Sequence, residues 1–232
     1  KATVFASANI DPLGSYLLKG SLIDDSIAEI KKLIEETVEL KKFRVVTVTG
    51  KNYSNAGSSI VQELAFSLAQ GAEYLNFLTA SGLGIDNVAK KIKYDFAISP
   101  NYFMQIAKSR AARMLWAQIV KAYHPNCKCS CKMEAHAETG SWNKTLYDPY
   151  VNMLRTQTEA MNAALGGVES ITVLPFNAIY EAPTTFSDRI ARNQQLLLKE
   201  ESHLDKIVDP SAGSYYIEEL TVSIAEEAWK LF

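Results

Sequence analysis

Short β-type segments alternate with helical ones along almost the whole chain of 232 residues, the pattern left by parallel strands joined by crossover helices. Strands are expected at Thr3 to Ser7, Arg44 to Thr49, Asp95 to Ser99, Ser130 to Glu138, Ser170 to Leu174 and Lys206 to Asp209. The gaps read as helices. One spans about Asp25 to Leu40 with Ile30, Leu33, Ile34 and Val38 as its apolar stripe, and one starts after Ser58 and Ser59 and stops at Gly71. A longer helix follows Pro100 and Asn101, with Phe103, Ala107, Ala111, Met114 and Leu115 on one side. The next opens on Asp148 as N-cap and Pro149, buries Val151, Leu154, Met161 and Leu165, and closes at Gly166 and Gly167. Two more are expected, from about Thr185 to Glu200 and from about Ile217 to the end.

The strands have two unlike faces, and that restricts how the sheet can be covered. Val4 and Ala6, Val46 and Val48, Phe96 and Ile98, Met133 and Ala135, and Ile171 and Val173 form apolar faces suited to lie under helices. The opposite faces carry Thr3 and Ser7, Thr47 and Thr49, Asp95 and Ser99, Lys132 with Glu134, His136 and Glu138, and Ser170 with Thr172. A doubly wound sheet has helices on both faces, so its central strands are apolar on both sides, and these are not. The expected fold is therefore α/β, a (β/α)8 TIM-type barrel with a polar interior, incomplete because about six strands are present where eight are needed. That interior reads either as a hydrated channel or polar-ligand site, or as a polar core whose groups satisfy one another. The chain opens at Lys1 without a methionine and is expected to be one barrel domain, residues 1–232, cut from a longer chain.

Composition excludes several classes of function. The 24 basic and 26 acidic residues are spread along the chain, so no basic face for nucleic acid and no cationic face for a lipid surface is present. No apolar run approaches the roughly 20 residues of a membrane span, and a cytoplasmic location is expected. Cys127, Cys129 and Cys131 lie in one CKCSC segment, where a metal site completed by His124 would want two to four residues between cysteines rather than one. They are expected as reduced thiols, with Cys129 and Cys131 packed on one face of a strand.

Several long segments, in order, carry a resemblance. RVVTVTGKNYSNAG (Arg44 to Gly57) followed by QELAFSLAQG, YFMQIAKSRAARMLWA (Tyr102 to Ala117), DPYVNMLRTQTEAMNAALGG (Asp148 to Gly167), FSDRIARNQQLLLKEES (Phe186 to Ser202) and DPSAGSYYIE (Asp209 to Glu218) resemble the cobalamin-dependent acyl-CoA mutases. The resemblance covers nearly the whole chain. It implies a barrel with small hydrophilic residues along its axis, through which the pantetheine arm of an acyl-CoA passes, and a radical isomerisation for which adenosylcobalamin supplies the carbon radical. On that axis Thr47, Thr49, Glu134, His136 and Glu138 become candidate substrate-binding residues.

The departures from the family pattern are specific. Catalytic members carry tyrosine and histidine in a stretch resembling SGYHMQEAG, which falls on TGKNYSNAG here, so Lys51 replaces the tyrosine and Asn52 the histidine. Asparagine donates a hydrogen bond but is not a titratable acid near neutral pH. A substrate-gripping arginine falls on Lys19, which lacks the planar fork for a carboxylate. The family's CQTSG reads AETGS from Ala137 to Ser141, so Glu138 puts a negative charge where a neutral amide is expected. The DxHxxG signature of the cobalamin-binding domain does not occur. The resemblance therefore implies the small, non-catalytic subunit of a heterodimeric isomerase, pairing with a homologous large subunit, with adenosylcobalamin in the complex but not on this chain. Two other readings stay open: a catalytic barrel using Asn52 and His136 as substitute donors, and a binding module for CoA esters.

Overall fold

The computed structural model describes residues 5–20 and 26–232. Its elements in chain order are β1 (Ala6–Ile10), α1 (Pro12–Lys19), α2 (Ser26–Glu36), β2 (Phe43–Val48), α3 (Lys51–Asn55), α4 (Ile60–Ala80), α5 (Ile85–Ala89), β3 (Ile92–Ile98), α6 (Tyr102–Lys121), β4 (Ala135–Thr139), α7 (Val151–Leu165), β5 (Ser170–Thr172), α8 (Thr185–Glu200) and α9 (Tyr215–Leu231).

The five strands pair in the order β1-β2-β3-β4-β5, all parallel. Strand order that never reverses, combined with right-handed crossovers, stacks the connecting helices on a single face. A doubly wound sheet needs a reversal, so that alternative is excluded for these strands. The helix-covered face is the apolar one. Val46, Val48, Tyr94, Phe96 and Ala135 pack there in one cluster with Leu64, Leu68, Leu75, Ala111, Leu115 and Trp116 from α4 and α6. α9 adds Ile224, Ala225 and Ala228 to the same cluster.

Local signals hold at several ends. Ser59 caps α4 in a reciprocal box with Gln62, and Thr184 caps α8 with Ser187. Gly166 and Gly167, the latter at φ +70°, close α7.

Other expectations are corrected. The first strand lies at Ala6–Ile10 rather than Thr3 to Ser7; Thr3 and Val4, like Asp25 at the expected start of the second helix, lie outside the described residues. Lys206 to Asp209 is not a strand: Leu204–Lys206 form a 3-10 turn and Val208 is 95% exposed, with no strand paired to it among the described residues. α4 runs through Gly71 to Ala80. Gly71 is not a cap but a point of close approach, where a Cβ would collide with the Tyr94 hydroxyl. On α6, Phe103 and Met114 are exposed and Ile106 is buried instead. α7 starts at Val151 without a side-chain cap, and Asp148 takes a left-handed φ of +48° in the turn before it. Its buried face is polar, with Asn152, Thr156 and Glu159 inside and Leu154 exposed, because Glu159 receives Lys144 at 2.7 Å and Asn152 binds the Phe176 carbonyl.

The segment expected as the start of the fourth strand, from Ser130, is instead a 3-10 turn, Lys128–Cys131, and β4 begins at Ala135. The Asp86 carboxylate accepts the backbone N–H groups of Asn126 (2.9 Å) and Cys127 (3.2 Å) and the Ser130 hydroxyl, which curls the segment away from the sheet. Cys127 and Cys129 are joined by a disulfide and lie in a turn, so neither the expectation of three reduced thiols nor that of Cys129 and Cys131 packed on a strand face holds; Cys131 alone is free. Among the described residues no cluster of His, Cys, Asp or Glu is placed to hold a metal, and no helix is long and apolar enough to cross a membrane.

Candidate functional site

Because side chains alternate along a strand and stay in register across parallel pairs, the helix-free face gathers residues far apart in sequence. Asp95 lies beside His136, and His136 beside Ser170; Glu138 lies beside Thr172. β4 shows the alternation in its burial, with Ala135, Ala137 and Thr139 buried and His136 and Glu138 half-buried between them.

The centre of this face is an ion cluster. The Lys51 ammonium, at the first residue of α3 just past the end of β2, lies 2.8 Å from Glu138 Oε2 and 3.1 Å from Asp95 Oδ2. Burial by itself would pull this lysine down. Its hydrogen bond to Glu138, with the charges of Asp95 and Glu138, outweighs burial and holds its pKa above the ordinary lysine value. The charge on Glu138 is thus matched from within the chain. The Asp95 oxygen Oδ1 is buried and has no hydrogen-bond partner among the described residues.

On one side of the cluster, His136 Nδ1 sits 2.7 Å from Ser170 Oγ and Nε2 sits 3.1 Å from Thr172 Oγ1. Burial pushes the imidazole below its ordinary value, and Lys93 adds to this against the opposing pull of Asp95 and Glu138. On the other side, Asn9 Oδ1 accepts from Thr47 Oγ1 at 3.1 Å and from Lys93 Nζ at 2.8 Å. Burial lowers the pKa of Lys93. At the strand ends nearer the amino terminus, Arg44 pairs with Glu134. These ionic side chains are Arg44, Lys51 and Lys93 against Asp95, Glu134 and Glu138, so the face is close to electrically neutral in itself.

The expected site residues therefore divide. Thr47, Lys51, Glu134, His136 and Glu138 come together on this face. Asn52 is half-buried next to Lys51, and among the described residues its side chain has no hydrogen-bond partner. Thr49 enters through its backbone, whose N–H donates to Asp11 Oδ2 at 3.0 Å. Lys19 is exposed in the last turn of α1 and makes no ion pair or hydrogen bond among the described residues.

Asn9, Arg44, Lys93 and Asp95 complete the face, and Asp11 supports it from behind. Lys93 could have been found by extending the third strand two residues back in the same alternation as Asp95. Asn9 lay beyond the expected first strand, in a left-handed conformation (φ +53°) that the sequence does not announce. Asp11 is a hub: it caps α1 by accepting from the Gly14 N–H at 2.9 Å and also accepts from Gln70 Nε2 and Tyr74 Oη, both at 2.6 Å.

Two pH responses follow. Because the folded pKa of Lys51 is raised, its contribution to stability is present below the unfolded value of about 10.4 and is lost as pH rises through the folded one. His136 has a lowered folded pKa, so the unfolded chain takes up its proton first and stability falls as pH drops below about 6.5. His136→Gln should flatten that acid limb in urea melts recorded between neutral and mildly acidic pH; an unchanged limb would mean that another group titrates there.

Sequence comparison bears on what this face belongs to. The methylmalonyl-CoA mutase family profile matches residues 3–232. The chain belongs to the methylmalonyl-CoA mutase family. It is 54% identical over 227 residues to the methylmalonyl-CoA mutase small subunit of Porphyromonas gingivalis, covering 97% of this chain and 37% of that relative. The small subunit of the Streptomyces virginiae mutase is 40% identical over 224 residues, covering 96% and 36%. The large subunit of the Porphyromonas gingivalis mutase is 37% identical over 225 residues, covering 95% and 32%. The chain thus spans about a third of the length of the mutase subunits it matches.

Proposed function

We propose that this chain is the larger part of the barrel domain of a methylmalonyl-CoA mutase small subunit, which supports a homologous large subunit in interconverting methylmalonyl-CoA and succinyl-CoA and performs no chemistry itself. The isomerase activity belongs to the heterodimer. The unreversed parallel strand order, with a polar face left free of helices, supports closure into a (β/α)8 barrel by strands from elsewhere in the protein.

One observation carries the supporting role: Lys51 and Glu138, two departures from the family's catalytic pattern, are partners of each other. The ammonium stands in the tyrosine position, the carboxylate in the neutral amide position, and the pair is completed by Asp95. Such a cluster matches its cation to carboxylates of the same chain and has no net positive charge for an anionic CoA ester. The neighbouring donor position holds Asn52, which cannot protonate a thioester carbonyl. His136 is an unsuitable substitute, since both ring nitrogens are engaged by Ser170 and Thr172 and its proton affinity is lowered.

Adenosylcobalamin supplies the radical in this family when it is bound. The residues here do not suit it. His136 is occupied, and His124 and His203 lie in exposed turns away from the sheet, so none is placed as a cobalt ligand. The cofactor is assigned to the large subunit, and the greater identity to a small than to a large subunit of the same organism supports the pairing.

The test uses the full-length chain with and without a large subunit. With adenosylcobalamin and methylmalonyl-CoA, the chain alone should form no succinyl-CoA, whereas mixing should give a stable 1:1 complex by size exclusion with turnover. Turnover by the chain alone would overturn the proposal. A second measurement addresses the cluster. Lys51→Met, which leaves two carboxylates facing each other without a cation, should cost about 1–3 kcal/mol in denaturant melts, while mutase turnover of the assembled complex stays unchanged.

A further inference from the structure

The CKCSC segment between α6 and β4 lies off the polar face, with Cys131 packed against the main core cluster, and it carries a built arrangement of its own. Cys127 and Cys129 are bridged, Cys129 is exposed, and Cys127 and Cys131 are half-buried. A bridge between residues two apart closes a very short loop and removes little freedom from the unfolded chain, so it serves poorly as a staple. The segment is held without it. Asp86 binds the Asn126 and Cys127 N–H groups and the Ser130 hydroxyl, so the bridge can open while its surroundings stay anchored. An exposed disulfide is what thiol exchange requires.

The same segment borders a cavity of about 530 Å³ lined by Lys121, His124, Pro125, Lys128 and Cys131, so Lys128, which lies between the two bridged cysteines in sequence, faces it. Lys121 and Lys128 are exposed and make no ion pair among the described residues. Two ammonium groups without an ion-pair partner on the turn that carries the bridge concentrate anionic reagents near it.

We propose that Cys129 is a site of S-thiolation by anionic low-molecular-weight thiols held by Lys121 and Lys128, with Cys127 as the resolving thiol. The incoming thiolate attacks Cys129 Sγ, a new S–S bond forms, the Cys127–Cys129 bond breaks, and its electron pair leaves on Cys127 as thiolate. In the return step Cys127 attacks Cys129 Sγ and expels the small thiol. Alternatively, a second small thiolate attacks the first, leaving both cysteines reduced and a small-molecule disulfide as the oxidised product. The inference is independent of the proposed mutase role.

The probe is glutathione, tested on the full-length protein by intact mass and peptide mapping. One glutathione should appear, on Cys129. Cys129→Ser should lose it and Cys131→Ser should keep it. Cys127→Ser, treated with oxidised glutathione, should accumulate the adduct because nothing resolves it. Lys121→Glu with Lys128→Glu should slow glutathione addition about tenfold but leave addition of neutral 2-mercaptoethanol within about twofold. An adduct mapped to Cys131, no adduct from either thiol, or equal slowing of both thiols would overturn the assignment.

Discussion

Lys108→Met is expected to remove about 3–5 kcal/mol of unfolding free energy, because it strands the buried Glu63 carboxylate without its cation. Both side chains are essentially inaccessible, with Lys108 Nζ 2.7 Å from Glu63 Oε2. Burial pushes Glu63 up and Lys108 down, and each opposes the shift of the other. The pair has a purpose that an isolated ion pair would lack. β2 ends at Val48, opposite Tyr94, while β3 continues to Ile98, so among the described residues the backbone of Ala97 on that side has no strand beside it. Glu63 Oε1 accepts the Ala97 N–H at 2.8 Å and Lys108 donates to the Ala97 carbonyl at 2.8 Å. The two side chains stand in for the missing strand.

A double variant separates the charge effect from the backbone effect. Glu63→Leu with Lys108→Met removes the stranded charge but orphans two buried backbone groups, each worth about 1–3 kcal/mol. It should therefore recover only part of the loss in urea melts. Full recovery would mean that the pair's role at Ala97 is unimportant, and a Lys108→Met variant as stable as the parent would dispose of the clamp altogether.

The second large effect is expected at Gly71, where alanine should cost about 1–3 kcal/mol by overpacking although it is the better helix former. A methyl there meets the Tyr94 hydroxyl, itself wedged against Trp116 at a ring-centroid distance of 5.1 Å. That hydroxyl is buried without a partner among the described residues, and burial raises its pKa well above the ordinary tyrosine value. Tyr94→Phe should therefore be close to neutral or stabilising, and adding it to Gly71→Ala should restore part of the lost melting temperature, since the ring carbon Cζ would still lie 2.8 Å and Trp116 Cζ3 3.3 Å from the new methyl. If the double variant melts no higher than Gly71→Ala alone, the collision lies elsewhere in the helix packing.

These two sites mark where reading residues in order runs short. Gly71 carries the ordinary signal of a helix end, yet α4 continues for nine more residues because the tertiary need for close approach to Tyr94 overrides local propensity. Lys108 and Glu63 look like exposed helical charges, and only the early end of β2 calls them inside. The Asp86 carboxylate likewise decides that Ser130 belongs to a turn, against the β-type composition that follows it.

The period-two alternation from Met133 to Glu138, the helix starts after Ser59 and at about Thr185, and the βα repeat were all determined by sequence alone, because each depends on neighbours within a few residues. They were enough to establish a parallel sheet with one polar face. Pairing across that face was decided only by the tertiary structure. Lys51 and Glu138 stand 87 positions apart, and Asn9 meets Lys93 across 84. Periodicity says which way a side chain points; strand order and register, summed over the whole packed chain, decide what it meets there.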